Sequence, residues 1–309
     1  MPLRAEGSGG SLPGFAHCCA GVDGAPRARG QRMKTVILPS GESVPAFGLG
    51  TWNIGDDPAA REEEIATLRL GLDSGAALID TAEMYGDGRS EELIAQAIAG
   101  RRDEVFLVSK VYPQNASAKG LPAACERSLR RLDTDRIDLY LLHWRGTVPL
   151  AETLQAFMRL RQAGKIRHFG VSNLNLEDMQ ALWRLSGGDG IATNQLLYNL
   201  ARRGIEWDLL PWLRRRRIPV MAYSPLEQAR LAGNRKLAGF AARHGMTPAQ
   251  AALGWLLAQD GVVVIPKTGS RERLKQNLGA LDLVLTAEQL AELDRLFPPP
   301  AGAAPLEML

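Results

Sequence analysis

Cysteine is scarce in this chain: Cys18, Cys19 and Cys125 are the only ones in 309 residues. None has CxxC or Cys/His spacing, so the sequence offers neither a disulfide framework nor a zinc site, and a reducing compartment is expected. Cys125 falls in a helical pattern, where a small buried thiol is the reading. No apolar run reaches membrane-spanning length, and the N-terminus lacks the continuous apolar core of a secretory signal, so a cytoplasmic protein is expected. Charge of one sign is also lacking. With 37 Lys+Arg against 34 Asp+Glu, the formal net charge of +3 names neither nucleic acid nor membrane as a partner. The one basic run, Arg214 to Arg217, reads as a solvated helix end that complements the helix dipole. Two catalytic signatures are missing as well: no GxSxG elbow marks a serine hydrolase, and no GxGxxG follows a first strand to mark a Rossmann site.

Residues 1–32, "MPLRAEGSGGSLPGFAHCCAGVDGAPRARGQR", have no periodicity that could bury a face and read as a disordered extension. From 33 to 309 a single domain is expected. "TVILPSGESVPAFG" suggests a β-hairpin around Pro39, Ser40 and Gly41. Short apolar runs then follow: "FGLGT", "ALIDT", "VFLVSK", "DLYLLH", "IRHFGV", "IATNQ", "IPVMAY" and "VVVIPK". They alternate with helical patterns at 61–74, 89–99, 118–132, 151–163, 176–185, 205–216, 247–259 and 271–280. That alternation predicts an α/β fold, a (β/α)8 TIM barrel, with helices at 235–244 and 286–296 as additions.

Barrel strands favour Val, Ile and Leu, yet these runs end in Asp80, Lys110, His143, Ser172 with Asn173, Gln195, Tyr223 and Lys267. Parallel strands bring all their C-terminal ends to one rim, where barrel enzymes keep their chemistry. Any one of these residues alone has a dull explanation as a turn former, a solvated lysine or a packed histidine. Together on one rim they point to a site.

The chain resembles the aldo-keto reductase family through "GLGTW" (48–52), "IDTAEMYG" (79–86), "VSK" (108–110), "LYLLHW" (139–144), "GKIRHFGVSN" (164–173), "NQ" (194–195), "AYSPL" (222–226) and "IPKTGSRERLKQN" (265–277). The resemblance runs from about Met33 to about Ala301. Within the family it is most similar to compact bacterial members that resemble methylglyoxal reductases.

The resemblance implies a catalytic tetrad of Asp80, Tyr85, Lys110 and His143, and elementary chemistry agrees. Carbonyl reduction needs a proton at oxygen, and a phenol gives it up more readily beside a cation, so Tyr85 is the expected acid. Lys110 is the expected cation, Asp80 its counter-charge, and His143 the donor that orients the carbonyl. The resemblance also implies an NADPH site at the barrel mouth, because a hydride must come from a cofactor. Its expected residues are Gly50, Thr51, Trp52, Ser172, Asn173, Gln195, Tyr223, Ser224 and Leu226. Lys267, Thr268 and Arg273, at a helix start, suit a phosphate such as the 2′-phosphate of NADPH, and Gln276 and Asn277 match adenine positions. A phosphorylated-substrate site is the competing reading of that segment.

Trp52, Met84, Tyr112 and Trp144 are expected to wall the substrate pocket, together with the C-terminal tail. Arg145 departs from the common "HWP" and could attract an anion or face water. The expected activity is NADPH-dependent reduction of small aldehydes and ketones, including methylglyoxal and other 2-oxoaldehydes, by a monomer without metal. Alternatives are broad-specificity aldehyde or keto-sugar-acid reduction, an NADPH-binding regulatory subunit with little turnover, and a phosphosugar isomerase barrel.

Overall fold

A computed structural model describes residues 33–309. The expected disordered extension, 1–32 with Cys18 and Cys19, lies outside the described residues. The chain first forms a hairpin of β1 (Thr35–Ile37) and β2 (Ser43–Pro45), paired antiparallel with Val36 opposite Val44. Its turn closes where the Gly41 amide donates to the Leu38 carbonyl at 2.8 Å.

Eight parallel strands follow, ordered along the sheet as in the sequence. They are β3 (Gly48–Gly50), β4 (Leu78–Asp80), β5 (Phe106–Val111) and β6 (Ile137–Leu142). The second half comprises β7 (Ile166–Ser172), β8 (Ile191–Leu197), β9 (Val220–Tyr223) and β10 (Val262–Val264). The sheet closes into a barrel through Phe47 beside Val264 and Gly50 beside Lys267. A glycine is required there, because a Cβ on Gly50 would lie 2.8 Å from the Ile265 carbonyl oxygen. The hairpin covers the N-terminal end of this barrel, where Glu42 meets Arg167 and His168 of β7, both at 2.7 Å.

The helices are α1 (Arg61–Asp73), α2 (Arg89–Ala97), α3 (Gly120–Arg131), α4 (Leu150–Gln162) and α5 (Leu176–Trp183). They continue with α6 (Leu209–Arg215), α7 (Arg235–Arg243), α8 (Pro248–Leu257), α9 (Arg271–Leu278) and α10 (Ala287–Leu296). As expected, α7 and α10 are the additions; Arg243 and His244, at the end of α7, both engage Glu292 of α10. Of the two, α7 packs directly on α8, whose residues Ala251–Leu257 are all buried, which is why that helix reads as apolar on every side. Thr247 and Thr286 start α8 and α10 with reciprocal Thr–Gln caps.

The expected helix 205–216 is shorter than its pattern: a 3-10 turn at Gly204–Glu206 comes first, and Asp208 caps α6 at Leu209. Its basic end is only partly solvated. Arg214, Arg215 and Arg217 are exposed, but the Arg216 guanidinium lies 3.9 Å from the Trp212 ring centre. Cys125 is fully buried in α3, and burial pushes its thiol up to about 12. Among the described residues no helix is long and apolar enough to cross a membrane, and no His, Cys, Asp and Glu group could hold a metal ion.

Candidate active site

Strands β5 and β6 are buried at every position, as parallel strands between barrel interior and helices must be. Their polar residues therefore have to find partners inside the protein. Lys110 is fully buried, and its ammonium donates to Asp80 Oδ2 at 2.8 Å, the Thr81 carbonyl at 2.8 Å and Tyr85 Oη at 3.1 Å. All three donor positions are filled. Burial alone would lower the Lys110 pKa, but the charges and hydrogen bonds of Asp80 and Tyr85 outweigh it and hold the group above the usual lysine range.

Tyr85 opens the turn at Tyr85–Gly88 after β4. Burial pushes its phenol above the ordinary value, Asp80 adds to that, and Lys110 pulls it down by charge and hydrogen bond. The net direction is upward because desolvation outweighs the lysine, whose own pull is downward as the sequence leads one to expect. Tyr85 is consequently a protonated group held against a cation. His143, at the end of β6, lies edge-on to Tyr85 with ring centres 5.9 Å apart. Burial, with the Lys110 charge, lowers its pKa to about 2, so the imidazole is neutral. Its buried Nδ1 has no partner among the described residues.

Asp80 is held from two further sides. The Thr51 hydroxyl donates to its carbonyl at 2.8 Å, and Gln195 Nε2 donates to its Oδ1 at 2.7 Å. The sequence pattern assigns Gln195 only to a bound carboxamide. Its amide donor also orients the acid that pairs with Lys110. Behind this lies a fully buried hydroxyl chain: Ser90 donates to Thr51 Oγ1 at 2.9 Å and lies 3.1 Å from Thr81 Oγ1. Thr81 and Ser90 carry no signal in the sequence beyond polarity.

The expected cofactor residues fall into two groups. Around β7 to β9, Asn173 takes a left-handed conformation (φ 57°) and its Nδ2 donates to the His143 carbonyl at 3.2 Å. Tyr223 Oη donates to Asn173 Oδ1 at 3.0 Å, and Ser172 Oγ donates to the Gln195 carbonyl at 3.0 Å. Beyond Tyr223, Ser224 is also left-handed, and Leu226 is partly buried against the core. The second group gathers at the start of α9. Thr268 Oγ1 accepts from the Ser270 amide at 3.1 Å, Lys267 adjoins Gly50, and Arg273 sits in the first turn. Arg271 is engaged by Glu63 at 2.8 Å, while Lys267 and Arg273 have no carboxylate partner among the described residues. On the same helix Gln276 is exposed and Asn277 buried.

On the rim, Trp144 packs against His143 with ring centres 4.8 Å apart, and Tyr112 meets Trp144 edge-on at 5.9 Å. Met84 is half-buried and Trp52 is 44% exposed. Arg145 is occupied: it faces Asp178 at 3.5 Å and donates to the Val148 carbonyl at 2.9 Å. That leaves it poorly placed to draw in an anion. The tail returns to the mouth, where the Leu309 amide donates to Tyr223 Oη at 3.4 Å. Glu307 is anchored by Arg202, which also holds the buried Glu227 at 2.9 Å. Neither link was visible in the sequence.

A closed parallel barrel with a buried Lys, Asp and Tyr cluster beside a neutral His defines a class of enzyme suited to acid-assisted chemistry at a carbonyl. The sequence pattern of the Aldo/keto reductase family matches residues 46–297, and the chain belongs to that family of oxidoreductases. It is 47% identical over 283 residues to the methylglyoxal reductase YeaE of Escherichia coli K12, covering 90% of this chain and 100% of that protein. It is 33% identical over 262 residues to a glyoxal reductase of Bacillus subtilis 168, covering 85% of this chain and 92% of the relative. Among solved structures, an aldo/keto reductase of Klebsiella pneumoniae in complex with NADP and acetate is 53% identical, with a TM-score of 0.87 over 90% of this chain and 100% of that one.

Proposed function

We propose that this chain is an NADPH-dependent reductase of small aldehydes and ketones, with methylglyoxal and other 2-oxoaldehydes among its substrates. The observation that carries the reading is the Lys110 ammonium, buried and shared between Asp80, the Thr81 carbonyl and the Tyr85 phenol. Such an arrangement keeps a proton on Tyr85 in the resting site and places a fixed positive charge beside the phenolate that forms when the proton leaves. His143 is held neutral by burial and the Lys110 charge, so one ring nitrogen carries a hydrogen that can be donated to the carbonyl oxygen. Asp80 and Gln195 hold the lysine in place. Trp144 and Tyr112 form an aromatic wall that suits a compact carbonyl and excludes water.

The residues present fit a phosphorylated nicotinamide dinucleotide. Lys267, Arg273 and Thr268 stand at the start of α9 with two cations not neutralised by a carboxylate among the described residues, which favours a phosphate monoester. Gln276 and Asn277 would meet the adenine. Asn173, Ser172 and Gln195 would frame the carboxamide, with Gly50, Thr51, Trp52, Tyr223, Ser224 and Leu226 around the rest. When bound, NADPH supplies the hydride that no side chain can. The methylglyoxal and glyoxal reductase names of the relatives support the choice of 2-oxoaldehydes.

The test is NADPH consumption at 340 nm, with methylglyoxal and a panel of larger aldehydes and keto-sugar acids. One NADPH should be consumed per carbonyl reduced, with the smallest 2-oxoaldehydes giving the highest kcat/KM. NADPH binding without turnover on any carbonyl would favour a regulatory role, and isomerisation of a phosphosugar without nucleotide would refute the reading.

A further inference from the structure

Glu83 lies between Asp80 and Tyr85 in sequence, yet it takes no part in proton delivery. Its carboxylate is 5% exposed and faces away from Lys110 chemistry, toward the segment that follows β5. Oε1 accepts from the Tyr112 amide at 2.8 Å and from Asn115 Nδ2 at 3.0 Å. Oε2 accepts from Arg127 Nη2 of α3 at 3.2 Å. A buried carboxylate with four lone-pair directions has thus been spent on one loop, 112–115, and on the helix behind it. A charge is costly to bury, and a solvated loop does not need one.

We propose that Glu83 is a positioning residue for the carbonyl pocket. By fixing the Tyr112 backbone relative to the segment that carries Tyr85, it sets the distance between the proton donor and the aromatic wall. The chain of contact is continuous: Glu83 holds Tyr112, Tyr112 meets Trp144 edge-on at 5.9 Å, and Trp144 packs on His143 at 4.8 Å. The acid and the wall therefore move as one piece. The inference rests on the reductase reading for its kinetic arm and extends it by naming what sets the pocket's width.

What matters in this role is the reach of the side chain rather than its charge. Glu83→Asp keeps the charge and the attraction to Arg127 but withdraws the oxygens by one methylene, out of range of the Tyr112 amide. Glu83→Gln keeps the reach: its carbonyl oxygen still accepts from Tyr112 and Asn115, and Arg127, 39% exposed, turns to water. A purely electrostatic or folding role predicts the reverse order, with Gln harmful and Asp benign.

For methylglyoxal we expect Glu83→Asp to raise KM about tenfold with kcat within about twofold, because a displaced wall weakens substrate and transition state alike. Glu83→Gln should restore KM to within about threefold of the parent, and NADPH affinity should not move in either variant. Amide hydrogen exchange supplies an arm independent of turnover: Tyr112 should exchange faster in Glu83→Asp than in Glu83→Gln, which should match the parent. A parent protein that oxidises no NADPH would sink the reductase reading while leaving the exchange test of the tie intact. The proposal is overturned if Gln raises KM more than Asp, if Tyr112 exchange is the same in both variants, or if kcat falls while KM stays put. That last pattern would place the effect of Glu83 on Tyr85 itself.

Discussion

Replacing Lys110 with methionine separates the electrostatic part of the site from its packing. Methionine keeps most of the apolar stem, so the fully buried strand position stays filled. The ammonium, however, serves Asp80, the Thr81 carbonyl and Tyr85 at 2.8, 2.8 and 3.1 Å. Asp80 is 2% exposed and is left with Gln195 as its side-chain partner, so the variant should lose about 3–5 kcal/mol of stability, the range for breaking a buried ion pair. Changing Asp80→Asn in the same chain removes the stranded charge, while the oxygen of the new side-chain amide can still accept from Gln195. Part of the loss then returns. The Thr81 carbonyl still lacks its donor, a deficit of about 1–3 kcal/mol, so recovery should be incomplete.

The rate should behave differently. Lys110 pulls the Tyr85 pKa down against burial, and without it the phenol rises further and delivers its proton less readily. Hydride transfer should slow by about 10²-fold or more in both the single and the double variant, the usual scale for a disabled general acid. Urea denaturation reads the stability and stopped-flow NADPH absorbance reads the single turnover. If the double variant folds, binds NADPH and reduces methylglyoxal at the parent rate, the lysine is structural and the proton-delivery reasoning is refuted.

Arg273→Ala should weaken NADPH binding by more than about tenfold and NADH much less, since only the former carries the phosphate a guanidinium would pair with; equal losses in fluorescence titrations would remove the phosphate assignment. His143 gives stability a pH dependence of definite sign. Its folded pKa is depressed to about 2, so below the unfolded value of about 6.5 only the unfolded chain takes up the proton, and this group should cost about 1.4 kcal/mol per pH unit. The loss should grow as pH falls from 6.5 toward 2, and His143→Gln should flatten the dependence of urea midpoints between about pH 7 and 5; an unchanged slope would mean the ring is not held neutral. Cys125, with its thiol near 12, should resist thiol reagents until denaturant is added, measured on a Cys18→Ser, Cys19→Ser background.

The barrel was legible because its elements are written in short-range patterns. Apolar runs with β-branched residues alternated with helical periodicity, and even the additions α7 and α10 appeared as extra helices. Parallel topology then carried Asp80, Lys110 and His143 to one rim with no further information needed. Illegible were the partnerships made across the barrel. Gln195 reaches Asp80 over 115 residues of chain, a pairing fixed by strand register and side-chain length rather than by any local motif. Ser90 and Thr81 look like ordinary first-turn and loop residues until the hydroxyl chain to Thr51 is seen. The net upward shift of Tyr85 was illegible for a related reason: a sequence identifies a neighbouring cation, whose pull is indeed downward, but does not reveal how deeply the phenol is buried. Glu83 sat in full view within the motif, and only the fold shows that it faces Tyr112.

The most direct measurement is a single-turnover comparison of the parent protein with Tyr85→Phe, each premixed with saturating NADPH and rapidly mixed with methylglyoxal. The parent should oxidise its bound NADPH, while Tyr85→Phe should bind the nucleotide with unchanged affinity and transfer hydride at least about 10²-fold more slowly, because only the proton donor has been removed. Equal transfer rates in the two proteins would contradict the assignment of Tyr85 as the acid and, with it, the reading of the Lys110 cluster as a proton-delivery group.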